Sequence, residues 1–180
     1  MINNIIIGKE SFVTKALCKI LKNPVVLSAN KLDLEVIKKI QAKNKINIIF
    51  NNFFPSSHLN NLTHRDYKNF EKLSLEKLIE VLTIIKPKKI NKIIYTSSSA
   101  VYGLSKNIEN FKKDPLNREL YSSFKLASEK VVQNFCEKNK VKLYIFRLFN
   151  TYGNPKDNFS FIEKLIKARN ENKKFTLINN

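Results

Sequence analysis

Short apolar segments alternate with amphipathic ones along the whole chain, and that alternation constrains the fold more than any other feature. Residues 3–8 (NNIIIG) are an apolar run closed by glycine, the pattern of a buried strand. Residues 11–22 carry apolar side chains at 12, 13, 16, 17, 20 and 21, a helical stripe. A second strand is expected at 24–28 (PVVLS). A helix over 33–41 follows, with Asp33 as its N-cap, and then a third strand at 46–50 (INIIF). After a polar loop containing Pro55, residues 66–86 read as a long helix and 91–97 (NKIIYTS) as the fourth strand. A helix over 119–139, a fifth strand at 141–148, a helix over 158–172 and a short last strand at 174–178 complete the series.

Strands this uniformly apolar are hidden on both faces, which requires a parallel sheet wrapped by helices. The expected fold is α/β, a doubly wound parallel sheet of Rossmann type in the order 3-2-1-4-5. One domain over residues 1–180 suffices, since 180 residues with 43% hydrophobic composition can bury a core. No apolar run is long enough to span a membrane, so no membrane partner is expected. The opening MINNIIIGKESF lacks a basic leader and a small-residue cleavage site. Cys18 and Cys136 lie far apart without a CxxC spacing and read as reduced structural thiols. A cytoplasmic location is expected.

The net charge is +18, from 33 basic and 15 acidic residues, a balance that often accompanies nucleic-acid binding. Lysine, however, is spread along the chain together with abundant Asn and Ile, and the densest run is only KPKK at 86–89. Compositional drift is the stronger reading, and nucleic acid is an unlikely partner. His58 and His64 share a polar loop with no third ligand nearby, so no metal site is expected.

Glycine occurs only 3 times in 180 residues, far below the roughly 7% average. Gly8, Gly103 and Gly153 all follow strands one, four and five, where ligands of doubly wound sheets bind. Tyr121 and Lys125, in YSSFK, stand at i and i+4 on one helix face. An ammonium beside a phenol favours the phenolate, which would lower the tyrosine pKa and make an acid/base. Ser98, ending strand four in the run SSSAVYG (97–103), is a hydroxyl that could hold a substrate oxygen.

Taken in order, SSSAVYG (97–103), YSSFK (121–125) and RLFNTYG (147–153) resemble three motifs of the extended short-chain dehydrogenases/reductases, the NAD-dependent nucleotide-sugar epimerase, dehydratase and reductase group. The resemblance implies a dinucleotide-binding domain taking NAD or NADP, and a nucleotide-sugar substrate, in the making of surface-polysaccharide sugars. It implies that Ser98 polarises the substrate, that Tyr121 is the acid/base, and that Lys125 holds the nicotinamide ribose. It places Gly8, Ser11, Phe12, Val13, Lys31, Asn52, Tyr121, Lys125 and Phe149 at the cofactor, and Ser98, Ser99 and Asn150 at the substrate.

Several positions depart from the family. Its opening turn has three glycines; here GKESFVT keeps Gly8 but has Ser11 and Thr14 at the other two. Since those glycines allow close approach to pyrophosphate and close helix packing, weaker dinucleotide binding is expected, tightened by Ser11→Gly with Thr14→Gly. The acidic residue after strand two is missing, and Lys31 could receive a 2′-phosphate. Asn52 and Phe53 are bulkier than the family's residues at the end of strand three. Dehydratases carry Asp-Glu after the Ser/Thr, where this chain has Ser99 and Ala100, so an epimerase or keto-sugar reductase is favoured over 4,6-dehydration. The smaller substrate domain is expected to be absent. That leaves a truncated or non-catalytic binding module as the alternative, and a separate polypeptide or a second copy in a homodimer as candidate partners.

Overall fold

A computed structural model describes residues 2–51, 68, 69, 71–102, 120–149, 151, 153 and 161–174. The chain divides into two compact units, Met1–Arg147 and Leu148–Asn180. The first holds strands β1 (Ile2–Ile7), β2 (Val25–Leu27), β3 (Lys45–Phe50) and β4 (Ile90–Ser98), and helices α1 (Phe12–Ile20), α2 (Leu34–Lys43), α3 (Lys77–Ile84) and α4 (Leu120–Asn139). Strand β5 (Lys142–Leu148) ends at the boundary. The described part of the second unit contains α5 (Phe161–Asn170). The expected strand at 174–178 lies outside the described residues.

The strands form one five-stranded sheet, and β1 pairs in parallel with both β2 and β3, as β3 does with β4. The doubly wound α/β class is as expected. The order is corrected: it is β2-β1-β3-β4-β5, so the third strand lies between β1 and β4 instead of beyond β2. Burial explains the exchange. In β3, Ile46, Ile48 and Phe50 are fully buried and Ile49 nearly so, which only a central strand allows. All three residues of β2 are half-buried, as at an edge.

Register lines up Ile5, Ile48 and Ile93, and beside them Ile7, Phe50 and Tyr95. Ile37 of α2, Leu78, Val81 and Leu82 of α3, and Val132 and Cys136 of α4 pack on these rows as one core. Each such side chain withdrawn from water contributes about 2 kcal/mol. Asp33 caps α2 as expected, its carboxylate accepting from the amides of Glu35 at 3.0 Å and Val36 at 3.3 Å. The long helix expected over 66–86 enters α3 through a wide π-type turn at Lys72–Glu76. Because β2 and β3 lie on opposite sides of β1, the carboxyl ends of β1 and β3 are the switch point of the sheet, the place where such sheets take ligands.

Candidate active site

At that switch point β1 runs into Gly8, whose φ is +121°, a conformation L side chains rarely adopt. Its amide donates to the Leu27 carbonyl at 2.9 Å, and the Lys9 amide shares the same acceptor at 3.2 Å. The Ser11 amide closes the turn on the Gly8 carbonyl at 3.2 Å. Ser11 is the N-cap of α1 by position, yet its side chain makes no cap bond. Its hydroxyl turns inward and accepts from the Asn51 amide at 3.1 Å. The first amides of α1 are therefore left uncapped by Ser11, as an anion-binding helix start requires. Thr14 is buried and donates to the Gly8 carbonyl at 2.7 Å. Thus neither replacement of the expected glycines stands as an exposed obstruction. Phe12 and Val13 are half-buried beside this turn, and Lys31 is exposed. Asn52 lies outside the described residues.

A second cluster gathers at the end of β4. Its last residue, Ser98, enters a tight helical turn at Ser99–Tyr102, and its hydroxyl accepts from the Ala100 amide at 3.2 Å. Tyr121, half-buried on the first turn of α4, has the Ser98 hydroxyl near enough to favour its phenolate form. One turn further, Lys125 is buried and donates to the Thr96 carbonyl of β4 at 2.9 Å. Its ammonium sits 5.9 Å from the Tyr121 ring centroid and 5.3 Å from that of Tyr95. Lys125 thus ties the Tyr121 face of α4 to the strand that ends in Ser98. Ser99 is half-buried in the adjoining turn. Gly103 and Asn150 lie outside the described residues, and Phe149, 72% exposed, belongs to the second unit.

The electrostatics differ from expectation. Burial raises the Tyr121 pKa, and the Ser98 hydroxyl offsets this only in part. Burial pushes the Lys125 ammonium down to about 7, against a smaller upward pull from Glu129. A lysine that sheds its charge near neutrality cannot hold a phenol as phenolate. The expected lowering of the tyrosine pKa is therefore not seen in the free protein.

Glu129 and Arg147 were not singled out from the sequence. Glu129 continues the 121–125 helix face by one more turn, and that spacing could have pointed to it. Its buried carboxylate receives two bonds from Arg147 of β5, Nε at 3.1 Å and Nη2 at 2.8 Å. The same guanidinium lies 4.8 Å from the Tyr102 ring centroid, joining α4, β5 and the turn after Ser98. Tyr102 and Arg147 both lie within the quoted motifs, but only the fold brings them together. Among the described residues no group of three or more His, Cys, Asp or Glu forms a metal-binding cluster, and no helix is long and apolar enough to cross a membrane.

Comparison with known proteins gives this arrangement its relatives. A dTDP-D-glucose 4,6-dehydratase of Dictyostelium discoideum is 30% identical over 165 residues, covering 82% of this chain and 36% of that protein. The crystal structure of a UDP-glucuronic acid 4-epimerase from Bacillus cereus in complex with NAD superposes with a TM-score of 0.68 at 17% identity, over 96% of this chain and 63% of its own. The RMD protein of Pseudomonas aeruginosa, complexed with NADPH, also has a TM-score of 0.68 at 17% identity, over 96% of this chain and 64% of its own. This chain therefore spans about a third of the length of the dehydratase and under two thirds of the two solved structures. Residues 5–180 match the model of the NAD dependent epimerase/dehydratase family, and to that family the chain belongs.

Proposed function

We propose that the protein is an NAD(P)-dependent nucleotide-sugar epimerase or keto-sugar reductase, of which these 180 residues form the dinucleotide-binding part. The observation that carries the reading is Lys125, buried one turn from Tyr121 and donating at 2.9 Å to the Thr96 carbonyl of the strand that ends in Ser98. The dinucleotide, when bound, supplies the hydride acceptor and donor. The Gly8 turn and the start of α1 would receive its pyrophosphate, and Lys125 and Tyr121 would face its ribose. Tyr121 takes a proton from, or returns it to, a sugar hydroxyl, and Ser98 hydrogen-bonds the same oxygen. Lys125 gives its site a cationic donor whenever it is protonated.

An epimerase or reductase is favoured over 4,6-dehydration, because elimination of water needs a proton-exchanging pair and the turn after Ser98 offers Ser99 and Ala100. The dehydratase relative is the reason to keep that reaction in the assay. Sugar-nucleotide specificity, and a role in surface-polysaccharide precursors, would lie with the portion of the relatives that this chain does not span. That portion could be a downstream segment or a separate polypeptide, and a second copy of the chain is the remaining candidate partner. A non-catalytic dinucleotide-binding module is the second reading, favoured by the raised Tyr121 pKa.

Calorimetric titration with NAD and NADP, followed by assay on UDP- and dTDP-hexoses, separates the two. The enzyme reading expects dinucleotide binding and turnover that falls about a hundredfold or more in Tyr121→Phe. Binding without turnover leaves the module reading, and failure to bind either dinucleotide overturns both.

A further inference from the structure

The Gly8 turn is tied to β4 through four buried polar side chains that the proposed chemistry does not use. Ser11, Thr14, Asn51 and Thr96 are 7%, 1%, 2% and 9% exposed. Asn51, just past β3, is the hub. Its Nδ2 donates to the Ser11 hydroxyl at 3.1 Å and to Thr14 Oγ1 at 2.6 Å. Its Oδ1 accepts from Thr96 Oγ1 at 2.9 Å, a hydroxyl that also faces the Phe50 carbonyl at 2.7 Å. Thr14 passes the connection on to the Gly8 carbonyl at 2.7 Å. The backbone amide of Asn51 donates to the Ile7 carbonyl at 2.8 Å, so main chain and side chain of one residue grip both ends of the turn.

We propose that Asn51 is a positioning residue. Its carboxamide holds the Gly8–Thr14 turn on the sheet in the shape that receives a dinucleotide, in place of close glycine packing. The proposal rests on the dinucleotide reading given above. Every hydrogen-bonding group of the amide is engaged, so the set is self-consistent only as a whole. An apolar residue at 51 strips Ser11 and Thr14 of their buried donor. Glycine at 11 and 14 strips the Asn51 Nδ2 of both acceptors. A buried polar group left unpaired costs far more than a paired one contributes. The glycine-restoring double variant is therefore expected to loosen the turn, the opposite of what the sequence alone predicts.

The test compares Asn51→Leu, the double variant Ser11→Gly/Thr14→Gly, and the triple variant combining them. For each, NAD affinity is measured by calorimetry and amide hydrogen exchange is followed over residues 8–14. The single and the double variant should each weaken NAD binding by about tenfold and speed exchange in the turn, while the triple variant recovers to within about threefold of the parent. A general loss of stability would not be rescued by adding further substitutions. Should Asn51→Leu fail to fold, Thr14→Val removes the hydroxyl between Asn51 and Gly8 at nearly constant volume and is read in the same way. Parent-like affinity and exchange in Asn51→Leu, or in Thr14→Val where that replaces it, overturn the proposal. So does tighter binding in the double variant. If the parent binds no NAD, the dinucleotide reading falls. Exchange alone then decides whether Asn51 holds the turn, and unchanged rates overturn it.

Discussion

The carbonyl oxygen of Asn51 lies where a side chain on Gly8 would have to begin: a Cβ built there would stand 1.5 Å from it. The glycine also holds φ at +121°. Both facts act against any other residue. Gly8→Ala is expected to lower the unfolding free energy by about 3 kcal/mol or more, since positive-φ strain adds to a backbone clash. Urea denaturation measures it, and a midpoint unchanged from the parent would contradict the close approach.

Lys125 makes stability depend on pH. Its pKa is lowered to about 7 in the folded chain and is near 10.4 unfolded. Between these values the unfolded state holds more protons, so stability rises with pH across that window. Below pH 7 both states are protonated, and the full cost of the buried ammonium is felt. Relative to Lys125→Met, the ligand-free parent should gain about 2 kcal/mol between pH 7 and pH 9. Denaturation of both proteins at the two pH values checks this, and a pH-independent difference would show that the lysine is not desolvated.

The Ser98 hydroxyl works against burial at Tyr121. Removing a hydroxyl that favours the phenolate raises the pKa, so Ser98→Ala should move the Tyr121 titration further upward. If the proposed chemistry is right, turnover should fall about tenfold to a hundredfold with it. Titration of the tyrosine ring carbon by NMR reports the first effect, and a downward movement would refute the pairing.

Glu129 serves two neighbours at once. Glu129→Gln leaves the Arg147 guanidinium without its anion and should destabilise the fold by about 2 kcal/mol, discounted from a fully buried pair because Arg147 is partly open to solvent. The same change removes the charge that raises the Lys125 pKa, so that pKa should fall further. Denaturation and NMR titration of the lysine test the two effects separately.

The local pattern of residues was enough for much of this architecture. Apolar runs and 3.6-residue stripes mark the strands and helices to within a few residues, save the helix expected from residue 66, whose α-helical part α3 begins only at Lys77 after the π-type turn, because strand and helix periodicity are short-range properties. The Asp33 cap is legible for the same reason, as its acceptor reaches only two and three residues ahead. The i, i+4 spacing also puts Tyr121 and Lys125 on one helix face.

Other features wait on tertiary structure. The neighbours of β3 depend on a choice between strands far apart in the chain, decided by which strand can be buried on both sides. The direction of the Tyr121 pKa depends on how deeply phenol and ammonium are desolvated, which no spacing records. Ser11 and Thr14 look in isolation like lost glycines. Only when Asn51 and Thr96 are folded against them do they become one hydrogen-bonded set, since an acceptor has value only where a buried donor faces it.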